Sequence, residues 1–460
     1  MFEYMENLLK AMRPAFSRQK TFKWFVIVFI GFVLRNDTFG VSSIVRALWL
    51  DPSCYACLLH FFHSTAWRGD MLLKCWWLWL INEKVVYRVG GRIIMVGDHT
   101  KTPKDGRRIP EVSTLRQDSE TSSKPTYFRG HHWACIGLLV NAGRKFFATP
   151  LWTEIHRDSL QHSRSTRIVA IAGHIAKVMG NKAIIVLDAF FAVGPVFKVA
   201  AQQEGFLHIL TRAKKNVVAY LPPLKPRKKP RGRPKTYGEK LHLMALFDLW
   251  SHKFKKAEAI IYQQQEVVSF LTLDLIWKPV KKQLRFFLIE TSRGRIILMT
   301  SDLTMEPLIA LKLYCRRVTI ETMFDMLKNL LGAMHYHFWS KYLKPVSRKP
   351  LKKNIIRPVS SQPTKTENTL DAIEKFSHIQ LVVLGSFQLL ACNFNQEICN
   401  KARCWLRTSC NDIPSEFVTR SAISNVIRRN LFSFGKDWIT QLILEKQNRS
   451  NNTGHSQMVA

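Results

Sequence analysis

Apolar residues recur at mixed three- and four-residue spacings from the start of the chain to about residue 85. That is the period of helices burying one face. Ser42, Ser43 and Asp51 can cap helix starts there. From Gly91 the pattern changes. Arg92-Ile-Ile-Met-Val-Gly-Asp98 is a short apolar run closed by a carboxylate. Trp133–Val140 and Lys145–Trp152 predict two strands turning at Asn141-Ala-Gly. The spacing over 163–179 predicts a helix, and Ala183-Ile-Ile-Val-Leu187, a continuous apolar run, predicts a strand covered on both faces and ending at Asp188. The order is three strands, a helix, then another strand.

Further on, β-like runs fall at 206–220, 258–273, 283–290 and 294–300. They read as a β-rich insertion over 205–300, whose basic loop, 222–235, is too rich in Pro, Lys and Arg to pack. A strongly periodic helix is expected over 305–333 and a basic, Pro-rich linker over 341–367. Helices resume at 368–402 and 414–446, and 447–460 is a polar tail. The expected class is α+β, with helical flanks at 1–85 and 368–446 and a core split between 90–204 and 301–340.

Composition narrows the partner. The chain has 460 residues, with 69 Lys and Arg against 33 Asp and Glu, a formal net charge of +36. Such a surplus calls for a polyanion or an anionic membrane. The charge is spread along the whole chain, which fits a nucleic-acid track better than one lipid anchor. The most apolar run, Trp24–Leu34, is about half the roughly 20 residues a membrane span needs, and no small-residue cleavage site follows it, so neither a span nor a signal peptide is expected. The nine cysteines form no framework. Cys54 and Cys57 make one CxxC pair, and Cys392, Cys399, Cys404 and Cys410 cluster loosely, but neither set has zinc-ligand spacing. Buried free thiols in a reducing compartment are expected.

The strongest local signal is Tyr314, Arg317, Glu321 and Lys328. At about 100° per residue, one helix would gather them within an arc of about 60°. A solvated charged face with i,i+4 pairing gives the same pattern, and Asp325 is a competing carboxylate one turn on. Asp98 and Asp188 add to the picture because each ends an apolar run. Alone, an Asp there is ordinarily a turn residue or cap. Together, three carboxylates on neighbouring elements could hold a pair of Mg²⁺ ions for in-line phosphoryl transfer. Arg317 and Lys328 would then face a DNA phosphate.

This spacing resembles the Y-x2-R-x3-E-x6-K signature of a large family of bacterial insertion-sequence transposases. Gly97-Asp98-His99-Thr100 with Lys101, and Val186-Leu187-Asp188-Ala189-Phe190-Phe191, resemble the family's first and second Asp blocks. The resemblance covers 90–335 well and 24–80 more loosely. It departs from the family at Val318, where Trp often follows the signature Arg, and at His99, where some members carry a second Asp. The resemblance implies a ribonuclease H-like catalytic core interrupted by the β-rich insertion. It implies a DDE transposase: Asp98, Asp188 and Glu321 as catalytic metal ligands, Mg²⁺ with Mn²⁺ as a substitute, and Tyr314, Arg317 and Lys328 on the DNA backbone. Expected partners are double-stranded DNA, as terminal inverted repeats and target, and a second copy of the chain, with no membrane. The expected location is a prokaryotic cytoplasm, at the nucleoid. A related nuclease without strand transfer, and an inactive DNA-binding descendant, are the alternatives.

In the insertion, Arg231-Gly232-Arg233-Pro234 resembles an AT-hook core, in which Gly permits close approach and Arg enters a narrow minor groove. A basic linker touching phosphates reads equally from the same residues. His131 and His132 are adjacent, so on a strand they point to opposite faces and do not share an ion.

Overall fold

The computed structural model describes residues 1–117, 125–157, 162–223, 235–261, 264–348, 359–402 and 413–447. The fold is mixed α and β, and the chain divides into two compact units. The first takes residues 1–86, 99–159 and 321–460; the second takes 87–98 and 160–320. The segments expected as the core, 90–204 and 301–340, contribute to both.

In chain order the first five helices are α1 (Phe2–Ala11), α2 (Gln19–Leu34), α3 (Ser42–Ala47), α4 (Cys54–His63) and α5 (Gly69–Leu80). Strands β1 (Arg88–Val89), β2 (Arg92–Pro103), β3 (Ser113–Arg116), β4 (Tyr127–Ala142) and β5 (Lys145–Ile155) follow. Next come α6 (Arg164–Val178), β6 (Ala183–Leu187), α7 (Gly194–Ala201), β7 (Leu207–Arg212), β8 (Val218–Tyr220), β9 (Lys240–His242) and α8 (Leu246–Leu249). Four strands, β10 (Lys255–Ile261), β11 (Gln264–Trp277), β12 (Lys282–Thr291) and β13 (Gly294–Thr300), lead to α9 (Pro307–Arg316) and α10 (Thr319–Asp325). The described chain ends with α11 (Pro363–Asn393), α12 (Asn395–Lys401), α13 (Glu416–Phe432) and α14 (Trp438–Gln447).

In the first unit α11 is the central packing element. It is long and apolar enough to cross a membrane by length and composition, yet 89% of its most apolar window is buried inside the structure. Its polar residues have partners on other elements: Ser377 Oγ donates to the Ala333 carbonyl at 2.8 Å, His378 Nε2 meets the Thr153 carbonyl at 2.9 Å, and Gln388 donates to Glu416 at 3.0 Å. Each bond offsets the cost of burying a polar group. Gly385 leaves the space that the Trp76 ring of α5 fills, since an added Cβ would lie 2.2 Å from that ring. The indole N–H groups of Trp76 and Trp77 donate to the carbonyls of Pro150 and Leu151 on β5, both at 2.8 Å. Strands β4 and β5 form the expected antiparallel hairpin, turning at Gly143 with φ +54°.

In the second unit, β2, β6 and β7 run parallel, with Ile93–Val96 beside Ala183–Val186 and Ala183–Leu187 beside Leu207–Thr211. Every residue of β6 is buried, which explains its unbroken apolar run. Helix α6, capped by Ser163, leads into β6, and α7 makes the crossover to β7. Antiparallel pairing then extends from β7 through β13, β12 and β11, with β10 on one part of β11 and β8 with β9 beyond it.

Three expectations need correction at the level of elements. The helix expected over 305–333 is not continuous: α9 ends at Arg316, α10 begins at Thr319, and Met326–Leu330 is a π-helical turn. The apolar period runs through these breaks, so the pattern did not signal them. The run at 206–220 splits, and Leu207–Arg212 belongs beside β6 as a third parallel strand. The run at 258–273 is likewise parts of two strands, β10 and β11.

Candidate active site

The register of the parallel strands sets the site. Ile93 lies opposite Ala183 and Val96 opposite Val186. Two residues further, the same register carries Asp98, inside β2, level with Asp188, which directly follows the end of β6; neighbouring strands lie roughly 4.8 Å apart. The residue before Asp98 must be small. A Cβ on Gly97 would lie 2.9 Å from side-chain carbons of both Ile168 on α6 and Leu187 on β6.

Arg317, at the carboxyl end of α9, donates Nη1 to Asp98 Oδ2 at 3.2 Å, and both side chains are largely buried. Asp188 accepts the Phe190 N–H at 3.0 Å, and its carbonyl takes the Thr211 hydroxyl at 2.5 Å. Burial raises the pKa of its carboxyl, opposed by the Phe190 N–H and the charge of Arg317. Tyr314, one turn before Arg317, is also pushed up by burial, opposed by the charges of Arg317 and Arg212. This corner of the second unit thus holds two carboxylates, a phenol and two guanidinium groups. The carboxylates are partly desolvated and neutralised by a cation, a setting in which either a metal ion or a phosphate meets strong electrostatic complementarity.

The other expected residues lie in the first unit or outside the described residues. Glu321 begins the last segment of the first unit, exposed on α10. Lys328 lies in the π-helical turn; its ammonium donates to the Thr100 hydroxyl and to the Lys101 carbonyl at 3.2 Å, and burial lowers its pKa. The 60° arc calculated for one ideal helix does not describe these side chains, because the helix breaks between Arg316 and Thr319 and winds differently at Lys328. Arg231, Gly232, Arg233 and Pro234 lie outside the described residues. Among the described residues, no three or more His, Cys, Asp or Glu are grouped so that they could hold a metal ion. The two adjacent histidines diverge as expected: His131 contacts Tyr336 and the Pro110 carbonyl, whereas the His132 ring stacks on His99 at 4.8 Å.

Sequence reasoning missed Arg212 and Thr211. The signal was available, since Leu207–Arg212 is also an apolar run closed by a charged residue. A crossover as short as α7 leaves little periodicity to set this strand apart from the β-rich run that follows.

No protein-family model matches the chain, and no curated protein matches it. Among solved structures the chain is similar to a piggyBac transposase synaptic complex with hairpin DNA, determined by cryo-EM. Identity is 10% over 94% of this chain and 78% of the other, with a TM-score of 0.34. A likeness this faint carries no argument about what the chain does.

Proposed function

We propose that the chain is a DDE-type DNA transposase, which hydrolyses a phosphodiester at the end of a mobile element and joins the freed 3′-hydroxyl to target DNA. The observation that carries this reading is the parallel register of β2 and β6, which extended by two residues brings Asp98 level with Asp188, together with Arg317 on Asp98. Chain order supports it: strand β2, the antiparallel hairpin β4–β5, helix α6, then β6 and β7 parallel to β2 is the order and direction of a ribonuclease H-like core. The net charge of +36 supports DNA as the partner.

Paired carboxylates with hard oxygen donors fit Mg²⁺, which binds through one or two carboxylates and leaves positions for water and substrate phosphate. Asp98 and Asp188 would hold it, Glu321 is assigned with them on the signature spacing alone, and the bound ion would supply charge against the reacting phosphate. Arg317 neutralises Asp98 before substrate arrives and offers its remaining donors to a phosphate oxygen. Tyr314, whose pKa feels the charge of Arg212, would orient the same backbone, and Lys328 would add a cation to it on the signature spacing.

Strand nicking in Mg²⁺ by purified variants tests the assignment. Asp98→Asn, Asp188→Asn and Glu321→Gln should each lower the rate by about two to three orders of magnitude, the scale of losing one strong electrostatic stabiliser. Asp325→Asn should nick like the wild type. Near-wild-type nicking by any of the first three removes that residue from the site. Transfer of pre-cut ends into a target plasmid separates a transposase from a nuclease.

A further inference from the structure

A second feature lies in the first unit. From Met334 to Ser340 burial alternates: Met334, Tyr336, Phe338 and Ser340 point inward, while His335, His337 and Trp339 point outward. This is the alternation of an extended chain, which places successive outward rings roughly 6.6 Å apart. The segment is pinned from within. The Lys104 ammonium donates to the carbonyls of Met334 and Tyr336 and lies 3.8 Å from the centre of the Tyr336 ring. His131 bonds the Tyr336 hydroxyl, and the Ser340 N–H donates to the Arg108 carbonyl at 3.0 Å.

The outward rings line a cleft of about 970 Å³. Two large aromatic side chains in it are mostly exposed, Phe39 at 67% and Trp339 at 60%. An exposed Trp contributes little to a core and is a ready stacking platform. Arg107, Arg108 and Arg348 line the same cleft, and none has a carboxylate partner among the described residues. Asp105 is the acid among the lining residues, and it feels both Lys104 and Arg129. Burial, with Lys104 nearby, holds His335 and His337 below the ordinary imidazole range, so both present neutral flat rings at neutral pH.

We propose that this cleft binds an unpaired stretch of DNA strand, its bases stacked on Trp339, His337 and Phe39 and its phosphates on Arg107, Arg108 and Arg348. Flat rings in a row beside guanidinium groups are what a single strand requires: every base has a face to stack, and every phosphate a charge to neutralise. A duplex uses its base faces internally and would reach the exposed rings only with its edges and backbone. The inference rests on the DNA-processing reading above and adds to it a site for strand that has left the duplex.

The test is a pair of binding titrations in EDTA with the full chain. One probe is a labelled oligothymidylate of about ten nucleotides, within the usual range of site sizes; the other is a blunt duplex. Trp339→Ala should weaken oligothymidylate binding on the order of ten- to a hundredfold, the effect of losing one stacking platform, and change duplex binding far less. Trp339→Phe should restore most of the loss. Arg107→Ala with Arg108→Ala should weaken single-strand binding and lower its dependence on log salt by roughly one to two. Wild-type protein that fails to bind the oligomer, or a Trp339→Ala loss equal on both probes, overturns the proposal. Nicking of duplex in Mg²⁺ is scored separately: normal nicking without single-strand binding sinks the cleft alone, and single-strand binding without nicking sinks the transposase reading alone.

Discussion

An aspartate after a strand is ordinarily a cap, and Asp188 does cap, taking the Phe190 N–H. What distinguishes it is its neighbour, since the parallel register sets Asp98 at the same level. Sequence showed both acids because each closes an apolar run. It could not show their register, which depends on pairing between residues some 90 positions apart. Arg317 was legible from its spacing, but its bond to Asp98 was not. That bond makes a prediction about competition: the guanidinium and a divalent cation seek the same carboxylate. Arg317→Ala should therefore bind Mn²⁺ several-fold more tightly, because an opposing charge is removed, while nicking falls by about two orders of magnitude because a donor to the phosphate is lost. Titrating Mn²⁺ by calorimetry and scoring nicking on the same preparations reads both. Metal binding that weakens with nicking would show that Arg317 supports the acids and does not compete for them.

Elements were legible where a pattern was local. The helices of the first 80 residues, the β4–β5 hairpin and α6 follow from period, turn and cap. The π-helical turn at Met326–Leu330 and the extended segment after it were not, because what shapes them comes from elsewhere in the chain. Lys104, more than two hundred residues upstream, holds Met334 and Tyr336. Its burial pushes the ammonium pKa from 10.5 down to about 7, and the sign of the consequence is definite. Below about pH 7 both folded and unfolded chains carry the charge, and the folded chain bears the full desolvation cost. Between about 7 and the unfolded value the unfolded chain holds the extra proton, so stability rises with pH across that window. Urea denaturation of wild type and Lys104→Met at pH 7 and pH 9 should show the wild type gaining relative to the variant as pH rises. Other titrating groups cancel in that difference. Parallel behaviour of the two proteins would mean that Lys104 keeps an ordinary pKa in the fold.

At the scale of the whole molecule, charge is the feature read most directly from sequence and the one the fold changes least. A surplus of 36 positive charges on 460 residues opposes compaction by self-repulsion. The cost is relieved when a polyanion replaces the repulsion with contacts, and each contact releases counterions from DNA. Seven of the cations fall in the run from Lys225 to Lys235, of which all but Lys235 lie outside the described residues. The resulting prediction has two arms. Affinity for duplex DNA should fall by roughly three to five orders of magnitude between about 50 and 200 mM salt if some six to ten phosphates are engaged. Replacing Arg231 and Arg233 together by Ala should reduce the slope of log affinity against log salt by about two, whatever the sequence, if both touch phosphates. A larger loss on A·T-rich than on G·C-rich duplex would instead place them in a narrow minor groove. Titrations of both proteins on both duplexes at four salt concentrations decide between these outcomes. An affinity that hardly changes with salt would contradict the polyanion reading itself, because positive charge in excess cannot engage phosphate without displacing its counterions.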